Sequence, residues 1–423
     1  MNVGRAIEAQ LRNELGPDAN NIMKEVCEKI NKTIDQLEDR DLFQVANWVS
    51  RIVAAKYEYE TSVRLSKMVH RFKVERDLEK MPNLMDQGTL LRRTEKLVSL
   101  GNLCLAMKDL EAANKYFRDA VRNTSKIKHE VKESEALRGL ASVAMNRSEW
   151  DVAVRNFQKS LQISRRINDA QGMAEAHAGL GYTYWKRGDF PNALLEYEKS
   201  LENVSKIRKK GFLATVFIEY GNVYNEKGDL EQCLDYYYKA LDIFQELEDG
   251  AGLARVYNNI GDVYMQKGDW DNALKYFELC QDQGKSLNHL RMTGWSAFNK
   301  SEIYVQIGEL EKALESVTLA EEQLIKARDD EGICITHRNY AMVYRKKGDF
   351  EKAEQHLEKG LEMAKEANRP FLEADTLMEY GRFYDAKGDK DKAKKTLERS
   401  LELFNSIDAK AYAEKVNKII ETL

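Results

Sequence analysis

Proline is scarce in this sequence, with 4 among 423 residues, and its scarcity leaves long helices uninterrupted. Cysteine is scarce as well: the 5 cysteines are odd in number, lie far apart and include no Cys-Xaa-Xaa-Cys pair. Neither a disulfide framework nor a zinc site is therefore expected. The cysteines are interpreted as reduced, buried side chains.

The sequence also lacks a large excess of either basic or acidic residues. The 66 basic and 70 acidic residues leave a net charge of -4, too small to favour nucleic acid or an anionic membrane as the main partner. No stretch approaches the roughly 18 uncharged apolar residues of a transmembrane helix, and the N-terminus has no apolar signal core. We therefore expect a cytoplasmic protein that binds neither nucleic acid nor a membrane.

Motifs that carry chemistry are also missing. The sequence has no HExxH, no GxxxxGK[ST] phosphate-binding loop, no GxGxxG after a strand and no GxSxG. The 6 histidines are dispersed, and His177 and His337 both fall where a helix faces the core. We expect no catalytic residue, no cofactor and no metal, and hence a protein that is not an enzyme.

What the sequence does contain is a long repeat with a constant period. A small residue returns at every fortieth position, as Gly101, Ala141, Gly181, Gly221, Gly261, Ser301, Ala341 and Gly381. Three residues later six of these eight copies have a tyrosine, at Tyr184, Tyr224, Tyr264, Tyr304, Tyr344 and Tyr384, and the two early copies have Cys104 and Ala144 instead. An amphipathic helix bundle without repeats would show helical periodicity but no fixed register over so many copies.

A Gly-Asp pair follows the tyrosine in most copies, for example Gly188-Asp189 and Gly268-Asp269. Glycine adopts the left-handed conformation that ends one helix, and aspartate accepts backbone N–H groups at the start of the next. After this pair, small, large and small residues recur at i, i+4 and i+7, as in Ala273, Phe277 and Cys280. These three lie on one helical face, so the pattern predicts stacked helical hairpins.

This pattern resembles the tetratricopeptide repeat, which has a small residue then tyrosine in its first helix and Ala, Phe/Tyr, Ala in its second. The usual period is about 34 residues. The longer period here is similar to that of Pins-type adaptors, kinesin light chains and Rap-type regulators. The resemblance implies an all-α fold: a right-handed superhelical solenoid of antiparallel helix pairs.

Three segments are expected. Residues 1–86 do not fit the register and are predicted to form a separate N-terminal helical bundle, since apolar residues there recur at helical spacing. Residues 87–411 form eight repeat units of the same constant period. Residues 412–423 form a C-terminal helix that covers the exposed end of the stack, as open solenoids require.

In the family that the repeats resemble, certain positions of each first helix line a concave groove that binds a partner. The aromatic, amide and arginine residues at these positions are the candidate partner-binding residues, because such side chains often anchor interfaces. They are Tyr182, Trp185, Asn222, Asn225, Arg255, Asn258, Trp295, Phe298, Arg338, Arg345 and Arg382. Two alternatives remain open: burial of the aromatics by superhelical curvature, and a merely solvated charged face.

The function expected from this groove is that of a non-enzymatic scaffold or adaptor that binds a protein or peptide. The groove changes from acidic to aromatic to basic along the chain, so the partner is expected to be amphipathic, with acidic residues. The alternative is a Rap-like regulator that binds a response regulator, or acts as a phosphatase, under control of a peptide. The N-terminal glutamines Gln36 and Gln44 are candidates for that chemistry, but nothing in their spacing supports such a role. The oligomeric state is not predicted.

Overall fold

The computed structural model of the protein describes residues 3–57, 59–82, 86–207 and 209–423. These residues form 21 α-helices, two short 3-10 turns and no strand, which confirms the all-α fold class. The chain divides into two compact units, Met1–Glu248 and Asp249–Leu423. In the described part of the chain, no helix is both long enough and apolar enough to cross a membrane.

The first unit contains twelve helices. They are α1 (Val3–Leu15), α2 (Asp18–Ile30), α3 (Leu42–Lys56), α4 (Tyr59–Glu79), α5 (Gln87–Ala106), α6 (Leu110–Ile127), α7 (Glu130–Asn146), α8 (Trp150–Arg166), α9 (Ala170–Lys186), α10 (Phe190–Val204), α11 (Lys210–Glu226) and α12 (Leu230–Glu246). The 3-10 turns lie between α2 and α3, at Ile34–Gln36 and Asp39–Asp41.

The second unit contains nine helices. They are α13 (Gly250–Gln266), α14 (Trp270–Ser286), α15 (Leu290–Ile307), α16 (Leu310–Lys326), α17 (Asp330–Lys347), α18 (Phe350–Glu366), α19 (Pro370–Ala386), α20 (Lys390–Ser406) and α21 (Lys410–Glu421). From α5 to α20 the helices form antiparallel pairs, four in each unit, and within a pair the two members pack closely. We call the members of a pair the first and second helix of a hairpin.

The turn inside a hairpin has the chemistry that the Gly-Asp pair predicts. Gly268 has a φ of 73°, and Asp269 at the start of α14 accepts a hydrogen bond from the backbone N–H of Asn272 at 3.2 Å. Aspartate caps of this kind stabilise a helix by about 1 kcal/mol each. Gly308 keeps the left-handed conformation, but Glu309 at the start of α16 makes no such capping bond.

Hairpins stack because an aromatic ring of a second helix packs against glycines of two first helices. A Cβ atom added to Gly101 in α5 would lie 2.6 Å from Phe117, and one added to Gly139 in α7 would lie 2.3 Å from the same ring. The Phe117 side chain in α6 is itself fully buried. Small residues at these positions therefore permit the close backbone approach that the small-large-small pattern predicts.

The first helices of successive hairpins contact one another within each unit. In the first unit α5 contacts α7, α7 contacts α9 and α9 contacts α11; in the second, α13 contacts α15, α15 contacts α17 and α17 contacts α19. We call the surface formed by these first helices the inner face of a unit. Residues placed on it by the repeat register are thus brought close to their equivalents in the next hairpin.

Each unit has further helices beside its four hairpins. Helices α1 to α4 enclose their own apolar cluster, with Ile7, Leu11, Val45 and Val49 fully buried, and α4 packs on α5. Helix α21 packs on α20 and buries Val416. Residues 83–85, just before the predicted boundary at 86, lie outside the described residues. The division into 1–86, 87–411 and 412–423 stays a prediction.

Candidate partner-binding site

The inner face of the second unit carries a network of charged side chains around Arg338. Its guanidinium donates a hydrogen bond to Glu302 of α15, and its Nε lies 3.2 Å from Oδ2 of Asp375 of α19. The Arg338 side chain is 13% exposed. The two carboxylates raise the pKa of Arg338 even though burial alone lowers it. Arg338 therefore joins three successive first helices.

The other two predicted arginines, Arg345 and Arg382, share one buried carboxylate. Glu379 of α19 is 1% exposed at its side chain, and its oxygens accept hydrogen bonds from Arg345 at 2.7 Å and from Arg382 at 3.3 Å. Two cations on one carboxylate leave a local excess of positive charge. The three arginines are thus already paired within the chain, which sequence reasoning did not anticipate.

Asp375 and Glu379 are the residues of this network that sequence reasoning missed. Asp375 occupies the same repeat position as Arg255 and Trp295, so reading that position through to the last hairpin identifies it. Glu379 lies outside the positions assigned to the groove, and the sequence carries no signal that it faces Arg345.

A pocket of about 520 Å³ lies beside this network. Its apolar surface includes Met265, Val305 and Met342, and its charged surface includes Lys346 and Lys415 together with the three arginines. Both lysines are exposed. Within the described ranges neither lysine has an ion pair, so the pocket combines an apolar floor with uncompensated positive charge.

Asp262, on α13 of the same face, lacks a cationic partner in the part of the chain that the structure describes. Its carboxylate accepts hydrogen bonds from the side-chain amides of Asn258 at 3.0 Å and Asn299 at 3.4 Å. Burial and the nearby charge of Glu302 raise the pKa of Asp262 to about 7. Asn258, a predicted site residue, thus orients a carboxylate of the protein itself.

The predicted aromatics of the second unit are held by contacts within the chain. Phe298 is 5% exposed, and its ring lies 5.5 Å from that of Trp295 in an edge-to-face arrangement. The Trp295 indole N–H donates a hydrogen bond to Asp329 at 3.0 Å. Arg255 is exposed on α13.

In the first unit the structure brings together Tyr182 and Trp185, whose rings are 5.5 Å apart and edge-to-face. The ammonium of Lys186 lies 4.0 Å from the Trp185 ring. Asn222 accepts a hydrogen bond from the Tyr237 hydroxyl at 2.6 Å. The predicted residues Tyr182, Trp185 and Asn222 are partly exposed on the inner face. Asn225 is partly exposed as well, but its Oδ1 atom is buried and has no hydrogen-bond partner among the described residues.

Residues considered for catalysis do not assemble into a site. Gln36 accepts a hydrogen bond from the backbone N–H of Thr33 at 2.9 Å, as part of a 3-10 turn cap, and Gln44 is exposed on α3. Among the described residues, no group of three or more His, Cys, Asp or Glu side chains is placed to hold a metal ion.

Family comparisons agree with the repeat pattern. A tetratricopeptide-repeat model matches residues 132–206 and 212–279, and a MalT-like TPR region model matches residues 253–420. Together the two models extend over most of the eight hairpins. No curated protein matches the chain in sequence.

Solved structures are similar in fold. The apo form of RapI is 14% identical with a TM-score of 0.63, over 87% of this chain and 98% of that chain. Aspartyl phosphate phosphatase F from Bacillus subtilis is 12% identical with a TM-score of 0.58, over 86% and 93%. A signal transduction ATPase with a tetratricopeptide-repeat sensor, from Pyrococcus horikoshii, is 14% identical with a TM-score of 0.59, over 99% and 74%. At these identities the likeness concerns the fold alone.

Proposed function

The chain belongs to the tetratricopeptide-repeat family, and we propose that it is a non-enzymatic scaffold that holds a segment of a partner protein on the inner face of its second unit. The observation that carries this proposal is the pocket of about 520 Å³ beside Arg338. An apolar floor and positively charged rim suit an amphipathic segment with acidic residues. The proposed setting is the cytoplasm.

The arginines and the lysines have different roles in this proposal. Arg338 and Arg345 are engaged by carboxylates of the chain, and releasing them for a partner would leave those carboxylates buried without counter-ions. Lys346 and Lys415 form no ion pair with the described residues, so binding a partner through them leaves no carboxylate of the chain without a counter-ion. We therefore assign the first contact with an acidic partner to the two lysines, and the positioning of the pocket wall to the arginines.

The test uses a fluorescently labelled, acidic amphipathic peptide and the full chain. The double variant Lys346→Ala with Lys415→Ala should weaken binding by about fivefold to thirtyfold, because each charge contact contributes about 0.5–1 kcal/mol. The matched control is Lys394→Ala with Lys395→Ala, which removes the same charge from the exposed surface of the second helix α20. Equal affinities of the two double variants would overturn the assignment.

A peptide-controlled regulator of a response regulator is a second candidate, since this chain shares its fold with aspartyl phosphate phosphatase F over 86% of its length. It predicts that the full chain accelerates loss of phosphate from a phosphorylated receiver domain, and that a short peptide changes this rate. The scaffold proposal predicts an unchanged rate of phosphate loss. Phosphate release from the receiver domain alone, and with added chain, separates the two candidates.

A further inference from the structure

The inner face of the first unit carries a groove that the proposed function leaves unused. Its volume is about 750 Å³, and α5, α7, α9 and α11 supply most of its lining. Val131 in its lining is 48% exposed, and the partly exposed side chains of Tyr182, Phe212 and Met145 also line it. Exposed apolar side chains within a groove of polar surroundings are typical of surfaces that bind another molecule.

Three glutamates occupy equivalent positions on successive first helices of this face. Glu135 and Glu175 line the groove, and Glu95 lines an adjoining pocket that shares Asn102 and Lys132 with it. Each is one full repeat from the next in the sequence, and they belong to α5, α7 and α9, which contact one another in order. The register thus arranges the carboxylates as a row across the helices.

Two of these glutamates have cationic partners within the chain. Glu175 pairs with Arg138 at 2.9 Å and with Lys209 at 3.8 Å, a longer separation. Glu135 pairs with Lys132 at 2.7 Å. The row is therefore partly neutralised at these two positions.

Other carboxylates outweigh these cations. Asp169 adds a further acidic side chain to the lining of the groove, so that with the three glutamates there are four carboxylates against the three cations Lys132, Arg138 and Lys209. Glu95 is exposed, and no cation of the described residues lies within ion-pair distance of it. The face therefore presents net negative charge beside its apolar wall.

We propose that this groove binds a basic segment of a partner protein in the polyproline II conformation, with Lys or Arg at every third residue. Neighbouring packed helices lie about 8–10 Å apart. Polyproline II has three residues per turn and rises about 3.1 Å per residue, so every third side chain projects from the same side at a spacing of about 9 Å. We infer that the glutamates, which lie at equivalent positions of contacting helices, have a similar spacing. A β-strand would place alternate basic residues on opposite sides.

Polar side chains beside the row suit an extended backbone. Asn102 of α5 and Ser142 of α7 also occupy equivalent positions and line the groove. A polyproline II segment has no internal hydrogen bonds, so its N–H and C=O groups are available to such an amide and hydroxyl. A bound helix would leave these two side chains without backbone partners. The proposal concerns a surface different from that of the proposed function and does not depend on it.

The test compares two labelled peptides of equal composition with the full chain. One repeats Lys-Pro-Thr three times, and the other has its three lysines adjacent. We expect the spaced peptide to bind about threefold to tenfold more tightly, with a strong loss of affinity on adding salt. In the variant Glu95→Gln, Glu135→Gln, Glu175→Gln, affinity for the spaced peptide should fall about tenfold.

The matched control variant is Glu198→Gln, Glu202→Gln, Glu231→Gln, which removes the same charge from exposed positions of the second helices α10 and α12. It should bind the spaced peptide as the original protein does. Equal affinities of the two peptides, or equal losses in the two triple variants, would refute the proposal. Binding of the acidic peptide to the second unit is measured in parallel. A failure of the basic peptide to bind the first unit can therefore be distinguished from a failure of the proposed function.

A loss of fold is checked by circular dichroism, because Arg138 is mostly buried and loses its partner in the triple variant. If that variant unfolds, Glu95→Gln alone provides the test, since Glu95 is exposed and its carboxylate holds no neighbouring helix. This single change should weaken the spaced peptide about twofold and leave the adjacent-lysine peptide unchanged. No change for either peptide would equally refute the proposal.

Discussion

Arg338 lies on the inner face, but its guanidinium is already paired within the chain and is not available to a partner. Its charge is balanced by Glu302 and Asp375, and its side chain is 13% exposed. Removing one member of a largely buried charge network leaves the others uncompensated, which typically destabilises a protein by several kcal/mol. Arg338 is therefore expected to matter for stability before it matters for binding.

Arg338→Met tests this expectation, because methionine keeps the apolar part of the side chain and removes the charge. We expect the free energy of unfolding of the second unit to fall by about 3 kcal/mol. Lys346→Met, which changes an exposed residue of the same pocket, is the control and should change it by less than about 0.5 kcal/mol. Urea denaturation followed by circular dichroism measures both. A small effect of Arg338→Met would mean that the two carboxylates are solvated without it.

At the level of the hairpin, a histidine of the first helix contacts a different type of residue on the second helix in two of the repeats. In α9 and α10, His177 Nδ1 lies 2.6 Å from a Glu196 oxygen, and Lys199 pairs with the same carboxylate at 2.7 Å. In α17 and α18, four hairpins later, the equivalent positions hold His337 and His356, whose Nδ1 atoms are 3.1 Å apart. The later hairpin therefore lacks the carboxylate that serves the earlier one.

Burial lowers the pKa of His337 to about 3 and also lowers the pKa of His356, with the charge of Lys359 acting in the same direction. Glu321 is 3.9 Å from His337 Nε2, too far for a hydrogen bond. A histidine with a lowered folded pKa stabilises the fold above its unfolded value of 6.5, and this stabilisation is lost as pH falls below that value toward 3. Hairpin α17–α18 should be acid-sensitive.

His356→Glu converts this contact into the version found in α9 and α10. It should raise the pKa of His337 and reduce the loss of thermal stability between pH 7.5 and pH 5, by roughly 1 kcal/mol. Thr396→Glu, at the equivalent position of the next hairpin, where Leu377 replaces the histidine, is the control. NMR titration of His337 and melting temperatures at both pH values provide the measurement. An unchanged pH dependence would contradict the attribution of acid sensitivity to the buried histidines of hairpin α17–α18.

At the level of the whole molecule, two compact units contain four hairpins each. Repeat proteins are stabilised by contacts between neighbouring hairpins, and about three repeats suffice for a stable stack. Residues 249–423 hold four hairpins and α21, with their own buried clusters, such as that around Leu397 and Phe404. We expect this fragment to fold without the rest of the chain.

Expression of residues 249–423 alone tests this expectation. The fragment should be helical by circular dichroism and unfold cooperatively in urea, with a lower m-value than the full chain because it exposes less surface on unfolding. A fragment from 269 onward, which begins inside the first of these hairpins, is the control and should be less stable. A non-cooperative transition for residues 249–423 would show that this unit needs residues 1–248.

The sequence predicts the hairpins well because their turns depend on local chemistry. Gly268 and Asp269 end one helix and cap the next through interactions that span only a few residues. The turns between hairpins are less visible, since residues such as Asn288 and Arg328 adopt the left-handed conformation there without a glycine to mark it. These turns therefore carry a weaker sequence signal.

The candidate site is predictable only as a set of positions. The register places Arg338, Arg345 and Arg382 on the inner face, and the structure does so too. Whether they meet a partner or Asp375 and Glu379 depends on the spacing and rotation of three neighbouring helices. Small differences in helix position decide which side chains form ion pairs. A repeat pattern predicts which residues share a helix face, but it does not predict the position and rotation of each helix accurately enough to assign those pairs.

The left-handed residues between hairpins also determine how such a chain can change in length. Asn288, Arg328 and Asn368 have φ values of 51°, 54° and 54° and lie at the same position of successive repeats. A segment cut at two of them is a whole hairpin with its own turn chemistry, so its duplication or loss keeps every later side chain on its original face. An insertion of one residue within a helix instead rotates the following residues by about 100°. Recombination between repeats can therefore lengthen or shorten this protein in steps of one hairpin, changing its inner-face residues while preserving its core.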